Sequence, residues 1–271
     1  MPSPYAGGRH ELGQNFLVDR SVIDSIRTLV ERTDGPILEL GPGDGALTLP
    51  LSRTGRPLTA VEVDPRRARR LRQRVPDNVA VVNGDMLRHP FPEHRHVLVA
   101  NLPFHLTTAM LRRLMVAETW DAAILLVQWE VARRRAGVGG ASMMTASWWP
   151  WYEFRLDRRV PSRAFRPVPS VDGGLLTVGR RPRPLVAERG PYQRFVGQVF
   201  TGRGHGLRDI LDRTGRFERN AVRGWLRDHR VSPHALPKDL TAEQWASLWL
   251  LASARGRTPD RRRQAKRTRV G

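Results

Sequence analysis

The 271-residue chain has no cysteine, so it can build neither a disulfide framework nor a thiolate zinc site. Lysine is nearly absent as well: Lys238 and Lys266 are the only two among 46 basic residues. Long apolar runs are also missing. The longest, AAILLV at 122–127 and LWLLA at 248–252, fall far short of the roughly 20 residues that cross a bilayer. The opening MPSPYAGGRHELGQNF lacks the apolar core of a secretory signal, so a cytoplasmic protein with no membrane association is expected.

What the sequence does have is positive charge, almost all of it arginine. Its formal net charge is +20 and its isoelectric point near 11.7. Such an excess calls for a polyanion, because cations that neutralise phosphates release counterions and gain affinity whatever the sequence. Nucleic acid is the leading partner and an anionic membrane the weaker one. Arginine's planar fork suits phosphates and stacks on bases, although a GC-rich coding sequence gives the same bias.

From about residue 21 to 180, short apolar runs alternate with amphipathic stretches, the pattern of an α/β fold. Val22, Ile23, Ile26, Leu29 and Val30 repeat at helical spacing. Ile37, Leu38 and Leu40 then form a strand that stops at Gly41. LTAVEVD, VAVVNGD, HVLVANLPF and AAILLVQWE read as further parallel strands of one doubly wound sheet, which binds ligands at the strands' carboxyl ends. A Pro- and Arg-rich linker at 179–191 precedes a helical region, in which Thr241 and Gln244 have the spacing of a capping box. The expected domains are 1–180, 185–255 and a disordered basic tail over 256–271.

The chemistry starts in LELGPGDGAL, where Gly41, Gly43 and Gly45 lie between a strand and a helix. Glycines allow a tight turn and close ligand approach, but Pro42 removes a backbone donor that a pyrophosphate would use. Glu62 and Asp85 close the next two strands. There they can accept hydrogen bonds from a ribose and an adenine amine, or simply cap the next helix. On consecutive strands the nucleoside clamp is the better reading, and a nucleoside without a pyrophosphate suggests S-adenosylmethionine.

ANLPFH, at 100–105, ends the following strand. The exocyclic amine of adenine is a poor nucleophile because its lone pair is delocalised into the ring. An Asn101 side-chain oxygen and a backbone carbonyl fixed by Pro103 can accept both N–H groups and draw the lone pair back, while Phe104 stacks on the base. An unpaired or flipped adenine is the substrate such a trio fits.

GQNFLVD (13–19), LELGPGDG (38–45), Glu62, GD (84–85), NLPF (101–104) and FRPVPSVDGG (165–174) together resemble the rRNA adenine N6-methyltransferase superfamily. Within it, the chain is similar to the Erm-type methyltransferases of large-subunit rRNA that confer macrolide, lincosamide and streptogramin B resistance. The resemblance, over about 9–255, implies a Rossmann-like class I methyltransferase sheet with a small C-terminal all-helical domain that grips RNA. It also implies S-adenosylmethionine as cofactor, 23S rRNA as partner and a monomer. Asn15 and Leu17 would lie over the methionine end of the cofactor with Gly41 beside it, Glu62 on the ribose and Asp85 on the adenine. Asn101, also counted among the cofactor contacts, and the Leu102 carbonyl would take the target amine. Phe104 stands where many members have tyrosine, which removes a hydroxyl but keeps the ring. The small-subunit rRNA adenine dimethyltransferases share nearly every motif, and a methyltransferase-like assembly factor without catalysis is a third reading.

Other residues are read more plainly. Phe165 is a candidate for the second wall of the target-base pocket. Arg133, Arg134 and Arg135 either grip RNA phosphates or form a solvated helix face. His94 and His96 lack partners at metal spacing, so no metal is expected, and His105 is taken as structural. Trp148, Trp149 and Trp151 are expected to pack on a strand near a sheet edge.

Overall fold

The computed structural model describes residues 15–254. Outside the described residues lie the first two residues of GQNFLVD and the whole of the 256–271 tail.

The elements run β1 (Phe16–Leu17), α1 (Arg20–Glu31), β2 (Ile37–Leu40), α2 (Thr48–Ser52), β3 (Leu58–Glu62), α3 (Pro65–Arg72), β4 (Val79–Asn83) and β5 (His96–Asn101). Next come α4 (Thr107–Val116), β6 (Trp120–Gln128), α5 (Trp129–Arg135), α6 (Met143–Trp148), β7 (Tyr152–Val160), β8 (Phe165–Arg166) and β9 (Gly173–Arg180). Four helices close the described chain: α7 (Arg189–Phe200), α8 (Leu207–Arg213), α9 (Arg219–Asp228) and α10 (Ala242–Ala254).

These elements form two compact units, residues 15–136 with 152–181 and residues 137–151 with 182–254. One break between them falls near 181. Residues 137–151, expected in the first domain, group instead with the second. The reason is local packing: Tyr192 on α7 donates its hydroxyl to the Ala146 carbonyl on α6, 2.9 Å away.

In the first unit, seven strands take the order β4-β3-β2-β5-β6-β9-β7. The pairs among β4, β3, β2, β5 and β6 are parallel, as the alternating pattern predicts, and β9 pairs antiparallel with both β6 and β7. Strand β2 is buried along its whole length, as a central parallel strand covered on both faces must be. Helix α1 starts where the Asp19 carboxylate accepts from the Ser21 and Val22 amides, satisfying two donors left open by the first turn. Its Val22, Ile26, Leu29 and Val30 enter a core with Ile37, Leu58, Val97, Val99 and Ile124. At about 25 cal/mol per Å² of apolar area, this burial holds the sheet against its helices and fixes where the strand ends fall. A small antiparallel pair, β1 with β8, sets Leu17 opposite Phe165.

The second unit is helical around an aromatic cluster. Phe195 meets Trp245 and Trp249 at 6.1 and 5.6 Å, and Phe200 stacks on Trp245 at 5.5 Å. The capping box at the start of α10 forms: the Gln244 amide donates to Thr241 Oγ1 at 3.2 Å and Gln244 Oε1 accepts from the Thr241 amide at 2.9 Å. The tryptophans expected to pack on a strand lie on α6 and in the turn after it. Trp148 ends α6 and Trp151 follows in a turn. Trp151 meets Tyr192 at 5.6 Å, and the Arg189 guanidinium lies over both Trp148 and Trp151.

Candidate active site

The carboxyl ends of β2, β3 and β5 converge on two cavities that share Phe16, Gly41 and Asn101. One, of about 30 Å³, is also lined by Asn15, Gly43, Glu62, Met86 and the run Leu102, Pro103, Phe104. The other, of about 410 Å³, takes in Leu17, Glu39 and the turn after β2. That turn needs glycine: Gly41 and Gly43 have φ of 73° and 57°, a region costly for residues with a Cβ. A Cβ on Gly43 would also stand 2.9 Å from the Phe16 ring.

Glu62 is buried at the end of β3, with both oxygens engaged by main chain. Oε2 accepts from the Gly43 amide and Oε1 from the Asp64 amide, each at 2.9 Å. The cap of α3 is Asp64, whose carboxylate accepts from the Arg66 and Arg67 amides. Glu62 is therefore no helix cap, and it points into the smaller cavity. Burial pushes its carboxyl above the usual range, while the Asp64 and Gly43 amides and the Arg67 charge pull it down.

Asp85 differs. Its Oδ1 accepts from the Leu87 amide at 2.8 Å, so it caps a turn, and Arg88 Nε lies 3.8 Å from Oδ2. Its neighbour Met86, rather than Asp85 itself, lines the cavity.

Asn101 ends β5 beside its partner Leu126 on β6. Its Nδ2 donates to the Asn15 carbonyl at 2.8 Å. That bond fixes the amide plane and frees Oδ1 to accept. The Leu102 amide donates to the Leu126 carbonyl at 3.0 Å, and the Pro103 carbonyl accepts from the Leu106 amide at 2.9 Å. These bonds lock the chain on either side of the Leu102 carbonyl. Phe104 is half-buried, leaving part of its ring free to stack.

Glu39, one residue before the end of β2, is buried, and its Oε2 has no hydrogen-bond partner among the described residues. Burial pushes its carboxyl up to about 7, with the Thr48 hydroxyl pulling the other way and the Glu62 charge adding to the rise. A buried, unpaired acceptor beside a cavity is suited to a ligand donor or cation. Phe16, which the motifs did not single out, spans both cavities. The Arg67 guanidinium covers it, 4.3 Å from the ring centroid, and pairs with Asp44 at 3.2 Å. The aromatic in GQNFLVD was the signal for it.

Leu17 is buried and lines the larger cavity. Phe165 is fully buried in the core, against Gly173 and opposite Leu17. It lines neither of the two cavities. Arg133, Arg134 and Arg135 form the last turn of α5, with Arg133 Nε 3.0 Å from Glu130 and Arg134 exposed. They line neither of these cavities. His96 is buried with Nδ1 2.9 Å from the His94 carbonyl, a structural placement. Among the described residues no group of three acidic or histidine side chains is arranged to hold a metal ion, and no helix is long and apolar enough to cross a membrane.

Residues 6–253 match the model of a family described as ribosomal RNA adenine dimethylase. The chain belongs to that family. It is accordingly an rRNA adenine methyltransferase. It is 53% identical to the mycinamicin-resistance protein MyrB of Micromonospora griseorubida, over 100% of this chain and 88% of that protein. The crystal structure of the 23S rRNA methyltransferase ErmE superposes with a TM-score of 0.82 at 34% identity, covering 88% of this chain and 100% of that one. A ribosomal RNA small subunit methyltransferase A from Synechococcus sp. (strain JA-3-3Ab) is 34% identical over 92% of each chain. The seven-stranded sheet is thus a class I methyltransferase fold.

Proposed function

We propose that the chain transfers a methyl group from S-adenosylmethionine to N6 of an adenine in 23S rRNA, in the cytoplasm, and so protects ribosomes from macrolide-type antibiotics. The observation that carries the reading is the Asn101–Asn15 bond, which leaves an oriented amide oxygen beside the Leu102 carbonyl and the Phe104 ring.

The chain's residues fit the cofactor. Glu62, held by two main-chain amides, keeps lone pairs for ribose hydroxyls, while Gly41, Leu17 and Asn15 border the space for the methionine end. The unpaired Glu39 Oε2 offers an acceptor beside it. Asp85, one residue from the cavity wall, is the acceptor for the cofactor's adenine. When bound, S-adenosylmethionine supplies an electrophilic methyl group on a sulfonium. Asn101 Oδ1 and the Leu102 carbonyl accept from the target amine and sharpen its lone pair, most strongly as positive charge develops on nitrogen. No strong base is required, because the methylated amine is acidic enough to release its proton to water. Arg133 to Arg135 and the chain's positive charge hold the RNA.

The greater likeness to the resistance protein than to the small-subunit enzyme favours 23S rRNA over the small subunit. Incubating the protein with labelled cofactor and each purified rRNA, then mapping and counting methyl groups, tests this. Label on 23S rRNA adenine is expected; label in 16S rRNA alone overturns the choice.

A further inference from the structure

We propose that a second pocket, bounded by Gln128, Trp129, Glu130, Arg159, Ser170 and Asp172, receives an unpaired nucleobase flanking the target adenine. This rests on the reading of the chain as an RNA adenine methyltransferase and extends it to how the strand around the target is held.

The pocket, about 340 Å³, shares no lining residue with the two cavities around Asn101. Its place follows from the sheet register. Asn101 stands opposite Leu126 on β6, and Gln128 lies two residues further toward the same end. That is about 7 Å along the strand and about 5 Å across to its neighbour, within reach of a nucleotide adjoining the target.

The walls are built to stay in place. The Trp129 amide donates to the Asp172 carbonyl at 2.9 Å, and a Cβ on Gly174 would stand 2.5 Å from the Ala132 Cβ and 3.4 Å from the indole Cε3, so glycine lets α5 seat closely on β9 with the ring in contact. Across it lies the Arg159 guanidinium, 5.1 Å from the ring centroid. Arg159 Nε donates to Asp172 Oδ2 at 2.8 Å, and Asp172 Oδ1 accepts from the Ser162 amide at 2.8 Å. The arginine side chain is nevertheless 61% exposed. A planar cation pinned against an indole and open to solvent is a platform on which any base can stack.

A phosphate suits the pocket less well, since the carboxylates of Glu130 and Asp172 line it. The Gln128 amide and Ser170 hydroxyl provide donors and acceptors for a base edge. The Arg159–Asp172 pair explains why the arginine is held, but not why a half-buried indole borders an open cavity.

Equilibrium binding of the full chain to a labelled 23S rRNA fragment carrying the mapped target adenine tests the proposal, with fluorescence anisotropy as the readout. A series of the same fragment would carry a single abasic nucleotide at each position flanking the target. Trp129→Ala should bind intact RNA roughly ten- to a hundredfold more weakly, and Trp129→Phe close to normally. At one abasic position the wild type should weaken and the Trp129→Ala defect should vanish. Undiminished affinity of Trp129→Ala for intact RNA, or a defect that persists with every abasic fragment, overturns the proposal. Calorimetric cofactor binding checks folding; if Trp129→Ala fails that check, Arg159→Gln carries the same comparison. Should the wild type methylate no rRNA, the functional reading falls on its own, before any variant is compared.

Discussion

Nδ2 of Asn101 donates to the main-chain carbonyl of Asn15, 2.8 Å away and 86 residues earlier in the chain. The bond joins two residues that line the smaller cavity, one before β1 and one at the end of β5. It uses one of the amide's two N–H donors and so sets which way the acceptor oxygen faces.

Asn101→Ala should lower the single-turnover methylation rate on the order of 100- to 1,000-fold, as for loss of one preorganised polar contact, with RNA affinity nearly unchanged. Phe104→Ala should lose roughly 1 to 3 kcal/mol of stacking, and Phe104→Tyr should be tolerated. Circular dichroism establishes folding of each. A near-normal rate from folded Asn101→Ala would move the non-catalytic assembly-factor reading ahead.

Glu62 and Asp85 occupy matching strand ends but differ in what holds them, and calorimetry can separate them. Glu62→Ala strands the Gly43 and Asp64 amides and should reduce both stability and cofactor affinity. Asp85→Ala should weaken cofactor binding by about 1 to 3 kcal/mol. Unchanged affinity in a folded Asp85→Ala protein would leave that residue as the Leu87 turn cap alone.

The Glu39 carboxyl titrates near 7 in the folded chain against an ordinary value of 4.5. Between those values the folded state holds a proton that the unfolded state has released. This contribution is complete below about pH 4.5 and is lost as pH rises through 7, on the order of 3 kcal/mol in all. Glu39→Gln stays neutral throughout. Urea unfolding without cofactor should therefore show the variant gaining on the wild type between about pH 5 and 8.5; parallel profiles would refute the buried proton.

RNA affinity should fall steeply with salt, as arginine–phosphate contacts require. Arg134→Ala, at the exposed turn of α5, should flatten the slope of log affinity against log salt by about 0.7 to 0.9 if it meets one phosphate. An unchanged slope would make that turn a solvated face.

The parallel strands and the order of the motifs were legible because they rest on local properties. Apolar runs such as Ile37 to Leu40 must be buried, and glycine at 41 and 43 is the residue that positive φ favours. The Thr241–Gln244 box is local too, and it forms as its spacing implies. The antiparallel β9, inserted between β6 and β7, was not legible, because pairing direction depends on where the chain returns. Residues 137–151 carry no boundary signal, since their grouping depends on Tyr192, far along the chain.

By itself, then, the sequence determined which residue types stand at each strand end: an acid at 62 and 85, an amide at 101, a ring at 104. Only the tertiary structure decided their use. Whether an acid caps a helix depends on which amides fold back to it, and here Asp64 takes that task and leaves Glu62 to the cavity. Whether a phenylalanine is free to stack on a base or fills a core depends on what packs around it, and Phe165, opposite Leu17, is buried. Hydrogen bonds and burial join residues distant in the chain, so their outcome is written in the packing rather than in any local run.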